Sequence, residues 1–181
     1  SALGADVRLL LPAFPSVVAG VTPEGPSLLV PAGGTMGLPG GLGPLASSAP
    51  GPTPWLQLGR ISASGQAVML LHAPGLFDRP GNPYHDASGK PWADAADQFA
   101  WLGWAAALLG TGLDPAWHPD VVHGHDWHTG LAFAYLARLV AAGHRRHHCP
   151  SLLRTPAQGS SSLCVCVLSF YHSRSLSVPR L

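Results

Sequence analysis

Trp117-His118-Pro119-Asp120-Val121-Val122-His123-Gly124-His125-Asp126-Trp127-His128-Thr129-Gly130-Leu131 is the stretch whose reading decides the fold. The β-branched pair Val121-Val122 opens a short strand, a Gly-containing loop follows, and an apolar helical pattern runs on to Ala142. Strand, polar loop and helix in that order form the unit from which open α/β sheets are built. In such sheets ligands bind beyond the carboxyl ends of the strands. His125, Asp126 and His128 fall at that end, which makes them candidates for a site.

Outward from this unit, the rest of the chain alternates strands, helix and loop. Residues 7–11 read as a short buried strand stopped by Pro12 and Pro15, whereas residues 28–30 are too few to define one. Residues 31–54 are dominated by Gly, Pro, Ala and Ser and read as a flexible surface insert. Residues 55–58 and 67–71 read as strands joined through a turn at Ser64-Gly65, an antiparallel hairpin or meander. A loop rich in Gly, Pro, Asn and Asp spans 75–91. Over 93–109 Phe99, Leu102, Ala106 and Leu109 recur at helical spacing, and Trp101, Trp104 and Leu108 widen the apolar face. The two Trp side chains there read as core rather than as a sugar platform. Gly110 and Gly112 stop this helix; Gly143 stops the next, for which Asp126 is a chemically sensible N-cap.

Composition narrows the classes. Charged residues make up only 10% of the 181, where roughly a quarter is usual. The polar balance comes instead from 22 Gly, 19 Pro and 10 His. A net charge of +1 points to neither nucleic acid nor an anionic membrane as partner. No apolar run approaches the roughly 20 residues of a membrane span. The three Cys, at 149, 164 and 166, are odd in number and late, which suits a reducing compartment better than a disulfide framework.

Three blocks together resemble bacterial glycogen synthase and its plastid relatives, the starch synthases. They are Asp6-Val7-Arg8-Leu9-Leu10-Leu11-Pro12-Ala13-Phe14-Pro15, Ala73-Pro74-Gly75-Leu76-Phe77-Asp78-Arg79-Pro80-Gly81-Asn82-Pro83-Tyr84, and the stretch from Pro119 to Ala132. They stand in the family's order at compatible spacings, and the resemblance covers about Asp6 to Ala142. It implies an α/β fold: an incomplete, Rossmann-like N-terminal domain of a GT-B glycosyltransferase, residues 1–148 with the insert at 31–54. It also implies transfer of glucose from ADP-glucose to an α-1,4-glucan with no metal or cofactor. The expected location is the bacterial cytoplasm, or a plastid if the source is eukaryotic.

The same resemblance assigns roles. Asp126 would be catalytic, stabilising positive charge that develops at the anomeric carbon, because a fixed carboxylate attracts that centre more strongly as the charge grows. Tyr84, His125 and Trp127 would bind substrate, Tyr84 by laying a flat ring on the apolar face of a sugar. Plainer readings stand beside these. Asp126 can serve only as a helix cap, and Tyr84 can simply anchor a Pro-rich loop. His123 can be a hydrogen-bonded core residue, while Asp78 and Arg79 can pair with each other or with backbone to hold the loop. A rival from another class is a zinc hydrolase using His123, His125 and His128, but Asp126 directly follows His125 where that signature needs a different order.

Other features depart from the family. The donor-binding Lys-x-Gly-Gly signature is not present: Gly40-Gly41 lacks the Lys and lies after the first strand instead of before it. After Gly143 no acidic residue occurs, the His-Asn strand of the family is missing, and only residues 163–170 read as a strand. Residues 149–181 are therefore expected to be an atypical Ser-rich tail outside the family sequence. The chain by itself is expected to be inactive, leaving glucan binding without catalysis as the alternative function.

Overall fold

A computed structural model describes residues 6–33, 43–44, 51–125, 127–144 and 163–167. β1 (Asp6–Pro12) is the Val-Leu-rich run read from the sequence, lengthened by one residue at each end. Pro12 does not stop it, because the missing N–H falls at the last position and the next amide, Ala13, donates to the Leu71 carbonyl at 3.0 Å. After a one-turn helix α1 (Pro15–Val18), the chain forms β2 (Val21–Leu29), which includes Pro23, Gly25 and Pro26. These residues hid the strand from a sequence reading. They are tolerated because β2 is an edge strand whose register shifts between Pro23 and Ser27, with Gly25 at φ +69°.

β3 (Trp55–Ile61) and β4 (Ala67–His72) make the expected antiparallel hairpin. The turn closes where Ser64-Gly65 predicts: both amides donate to the Ile61 carbonyl, and Gly65 takes φ +69°. α2 (Ala95–Gly110) and α3 (Gly130–Ala141) flank β5 (Val121–Gly124). Both helices end on a glycine with positive φ, Gly112 at +101° and Gly143 at +89°. In each case the following amide reaches back five residues, Leu113 to Leu108 and His144 to Leu139, which satisfies carbonyls that a helix end otherwise leaves unpaired.

β6 (Leu163–Val167) pairs with both β1 and β5, so the six-stranded sheet runs β2-β3-β4-β1-β6-β5. β4, β1, β6 and β5 are mutually parallel, and β2 and β3 extend the sheet antiparallel. The expected α/β class is therefore present as a mixed sheet. Side chains alternate across it. Leu10, Leu56, Met69 and Leu71 face the main core with Trp101, Trp104, Ala105 and Leu108 of α2. Leu11, Val68 and Leu70 belong to a smaller cluster with Ala13 and Val17.

Trp101 and Trp104 are completely buried, in agreement with the core reading. Trp104 also reaches the insert: its indole N–H donates to the Pro31 carbonyl at 2.7 Å. The Gly33 amide donates to the Pro44 carbonyl, and the Val30 amide to that of Pro54. The described ends of the 31–54 segment are thus tied to the body; its middle, including Gly40-Gly41, lies outside the described residues. At the amino end of the parallel strands, Arg8 lies over the Trp117 ring at 4.3 Å, and the Trp117 indole donates to Asp6 at 2.9 Å. That pair joins the start of β1 to the chain entering β5. Among the described residues no helix is long and apolar enough to cross a membrane.

Candidate functional site

The carboxyl ends of β4 and β5 each release a polar loop on the same edge of the sheet, since the two strands run parallel in one sheet. The loop after β4 is built by side chains closing on backbone. Asp78 accepts from the Gly75 amide at 2.6 Å. Asn82 accepts from the amides of Tyr84 and His85 at 2.8 and 2.9 Å, which folds the Pro83-Tyr84 corner over its own side chain. The Trp92 indole donates to the Asn82 carbonyl at 2.7 Å. Gly81 is required at this crossing: its φ is +146°, and a Cβ there would stand 2.5 Å from the His85 carbonyl oxygen.

Arg79 does not pair with Asp78. It donates to the Leu76 carbonyl, bonds Asp94 at 2.9 Å and lies over the Trp92 ring at 4.2 Å. The preference follows from Asp78 being already engaged with Gly75, while Asp94 sits at the start of α2 facing the guanidinium. Partial burial pushes the Asp94 carboxyl up, but hydrogen bonds from Arg79 and Gln98 and the Arg79 charge outweigh it and hold the carboxyl below its ordinary value. A carboxyl lowered on folding stabilises fully above the unfolded value of 3.8 and loses that contribution as the pH falls through the folded value. The thermal midpoint of the wild type should therefore drop more steeply than that of Asp94→Asn between about pH 5 and about pH 2. Parallel curves would show that the Arg79–Asp94 pair contributes nothing to stability.

At the end of β5, Gly124 is pressed against the turn and α3. A Cβ on it would meet Thr129 Oγ1 at 2.5 Å and the Phe133 ring at 2.7 Å. The chain then turns through a 3-10 segment, Trp127–Thr129, closed by Thr129 donating its hydroxyl to the His125 carbonyl at 3.2 Å. α3 begins at Gly130, and its N-cap position is held by Thr129, with no side-chain capping bond. Asp126 itself lies outside the described residues, and Trp127 is placed through its backbone in the turn.

His123 and His125 are exposed and stack on each other, ring centroids 4.5 Å apart and planes 10° from parallel. His123 is therefore not a core histidine. His128 is the buried one, 3% exposed. Its ring meets Tyr84 edge-on at 4.9 Å and Phe99 of α2 at 4.7 Å. The three histidines of the zinc reading thus part company, two stacked at the surface and one packed between aromatic rings. Among the described residues no group of three His, Cys, Asp or Glu side chains is placed to hold a metal ion.

Of the expected site residues, Tyr84 is brought against the turn that Trp127 opens, through His128, and His125 stands exposed just before that turn. His128 and Phe99 were missed as partners of Tyr84. The sequence offered His128 only as a site candidate at the strand end and Phe99 only as part of the apolar stripe of α2, and no local pattern joined either to Tyr84. Asp94 could have been found: in a chain with so few charges, an Asp beside a helix start is a natural partner for a nearby Arg.

An α/β domain with its polar loops gathered on the carboxyl edge is the class that fold and site define. The sequence model of the starch synthase catalytic domain matches residues 1–154, and the chain belongs to that family. It is 47% identical over 152 residues to a glycogen synthase of Variovorax paradoxus (strain S110), covering 78% of this chain and 26% of the relative. It is likewise 47% identical over 141 residues to the glycogen synthase of Albidiferax ferrireducens, covering 78% and 27%. The glycogen synthase of Erwinia tasmaniensis is 43% identical over 136 residues, covering 75% and 24%. The chain thus spans about a quarter of the length of these relatives. β6, at 163–167, falls beyond the residues that match the family, although it stands inside the sheet.

Proposed function

We propose that this chain carries the glucan-facing edge of a glycogen or starch synthase, an enzyme that transfers glucose from ADP-glucose to an α-1,4-glucan in the bacterial cytoplasm. Asp126 is the catalytic carboxylate in this reading. As the diphosphate leaves the donor, positive charge grows at the anomeric carbon, and an oriented carboxylate stabilises that charge more than it stabilises the ground state. Tyr84 offers its ring to the apolar face of a glucose unit, and His125 and Trp127 shape the pocket around it. Donor and acceptor must be held together for transfer, so a loop from each of two strands converging on one edge is the arrangement the chemistry needs. Residues 1–148 are read as the family part and 149–181 as a tail outside it.

The observation that carries the reading is the meeting of Tyr84, from the loop after β4, with the turn after β5. Two blocks that resemble the family separately come together at the edge where an α/β sheet binds ligands. The test is migration in a native gel containing glycogen. The wild-type chain should be retarded, and Tyr84→Ala should weaken the interaction about tenfold, the order expected for losing one aromatic contact. The thermal midpoint should change little, because Tyr84 is only partly buried. Equal retardation of wild type and variant would remove Tyr84 from the site. A binding role without catalysis rests on the same contact.

A further inference from the structure

His128 is set in an unusual position for a polar side chain beside a binding loop. It is buried, and it stands between two rings that belong to different elements: Tyr84 on the loop after β4 and Phe99 on α2. Both contacts are edge-to-face, with planes 64° and 66° apart and centroids 4.9 and 4.7 Å apart. Its own backbone is part of the 3-10 turn after β5. One imidazole therefore touches the loop that carries the aromatic candidate, belongs to the turn that Trp127 opens, and rests on the core helix.

The surroundings make this joint rigid on both sides. The turn is closed by the Thr129–His125 hydrogen bond and pressed close to Gly124, where no Cβ fits. The Tyr84 corner is folded over Asn82, which Trp92 holds in turn, and Arg79 and Asp94 tie the loop to the start of α2. His128 is a side chain through which these two pieces meet at Tyr84. An edge-to-face contact has a preferred angle as well as a preferred distance, so a ring at this place sets orientation where an aliphatic group would only fill volume.

We propose that His128 is a positioning residue that aligns the Tyr84 ring with the turn after β5 and thereby sets the affinity of this edge for glucan. The inference rests on the reading that Tyr84 contacts glucan. His128 does not touch the sugar itself; it determines the angle at which the Tyr84 ring is presented.

The experiment compares the full chain with His128→Phe, His128→Leu, Phe99→Leu and Tyr84→Ala, using retardation by glycogen in native gels and the thermal midpoint of each protein. His128→Phe keeps a ring between Tyr84 and Phe99 and is expected to bind within about twofold of wild type. His128→Leu keeps an apolar side chain in the space without ring geometry, and is expected to bind roughly three- to tenfold more weakly while remaining folded. Phe99→Leu removes the ring on the helix side of His128; it should weaken binding in the same direction and reads the coupling independently should His128→Leu fail to fold. Wild-type binding by folded His128→Leu, or by folded Phe99→Leu if His128→Leu does not fold, would reduce His128 to packing and overturn the inference. So would equal losses in the Phe and Leu variants of His128. If Tyr84→Ala binds like wild type, the glucan reading of Tyr84 falls and the inference with it. If only Tyr84→Ala loses binding, that reading stands and the positioning role alone is overturned.

Discussion

Trp104→Ala is expected to lower the free energy of unfolding by about 3–5 kcal/mol, read as a shift of the urea midpoint with little change in slope. Trp104 is completely buried in the main core and meets Tyr135 of α3 edge-on at 5.4 Å. Truncation would leave a cavity between α2, α3 and the insert, and tight packing lets such a cavity relax only partly. It would also remove the hydrogen bond to the Pro31 carbonyl, which anchors one end of the Gly- and Pro-rich segment. Domains of this kind are stable by only about 5–15 kcal/mol, so this one change would cost a large part of the total. Trp104→Phe separates the two contributions, because it keeps an aromatic ring and loses only the N–H and part of the volume. Its expected cost is about 1–2 kcal/mol. A Trp104→Ala protein as stable as wild type would mean that α2 is not the central element of the core.

Gly103→Ala should destabilise the chain by about 1–3 kcal/mol, against the ordinary preference of a helix. In an isolated helix the same change stabilises by about 1 kcal/mol, since alanine loses less conformational freedom than glycine on folding. Here Gly103 lies within α2 where α3 crosses it. A Cβ would stand 2.8 Å from the Ala132 amide nitrogen and 3.0 Å from Leu131 Cβ. One of those atoms is backbone, so α3 as a whole must move; rotation of one side chain cannot relieve the contact. α3 begins directly after the turn that contains His128, so the displacement should weaken glycogen retardation as well as lower the urea midpoint. A stabilised Gly103→Ala protein would show that the two helices slide apart at little cost.

Local chemistry made much of this molecule legible in advance. Ser64-Gly65 marked the hairpin turn, because a tight reversal needs a residue that accepts positive φ. Gly112 and Gly143 marked the helix ends for the same reason, and the spacing of Leu102, Trp104, Leu108 and Leu109 placed the core face of α2. The strand–loop–helix unit around Val121 pointed to the carboxyl edge, where Tyr84, His125 and the Trp127 turn are found. The illegible features depend on distant neighbours. β2 was hidden because Pro23, Gly25 and Pro26 break strands in general and are tolerated only at an edge, and edge position follows from strand order. The 3-10 turn that sets the start of α3 at Gly130 was equally hidden, because nothing local announces it.

By itself the sequence determined most of the strands and both long helices, the core aromatics, the two polar loops and the family resemblance. All of these rest on periodicity, turn chemistry and residue identity within short windows of chain. Only the tertiary structure decided that β6 stands between β1 and β5, that Arg79 closes on Asp94, that Gly103 is the crossing point of two helices, and that His128 joins Tyr84 to Phe99. The physical reason is common to all four. Each is a contact between residues far apart in the chain, selected by the shape and polarity of a partner that no local pattern encodes.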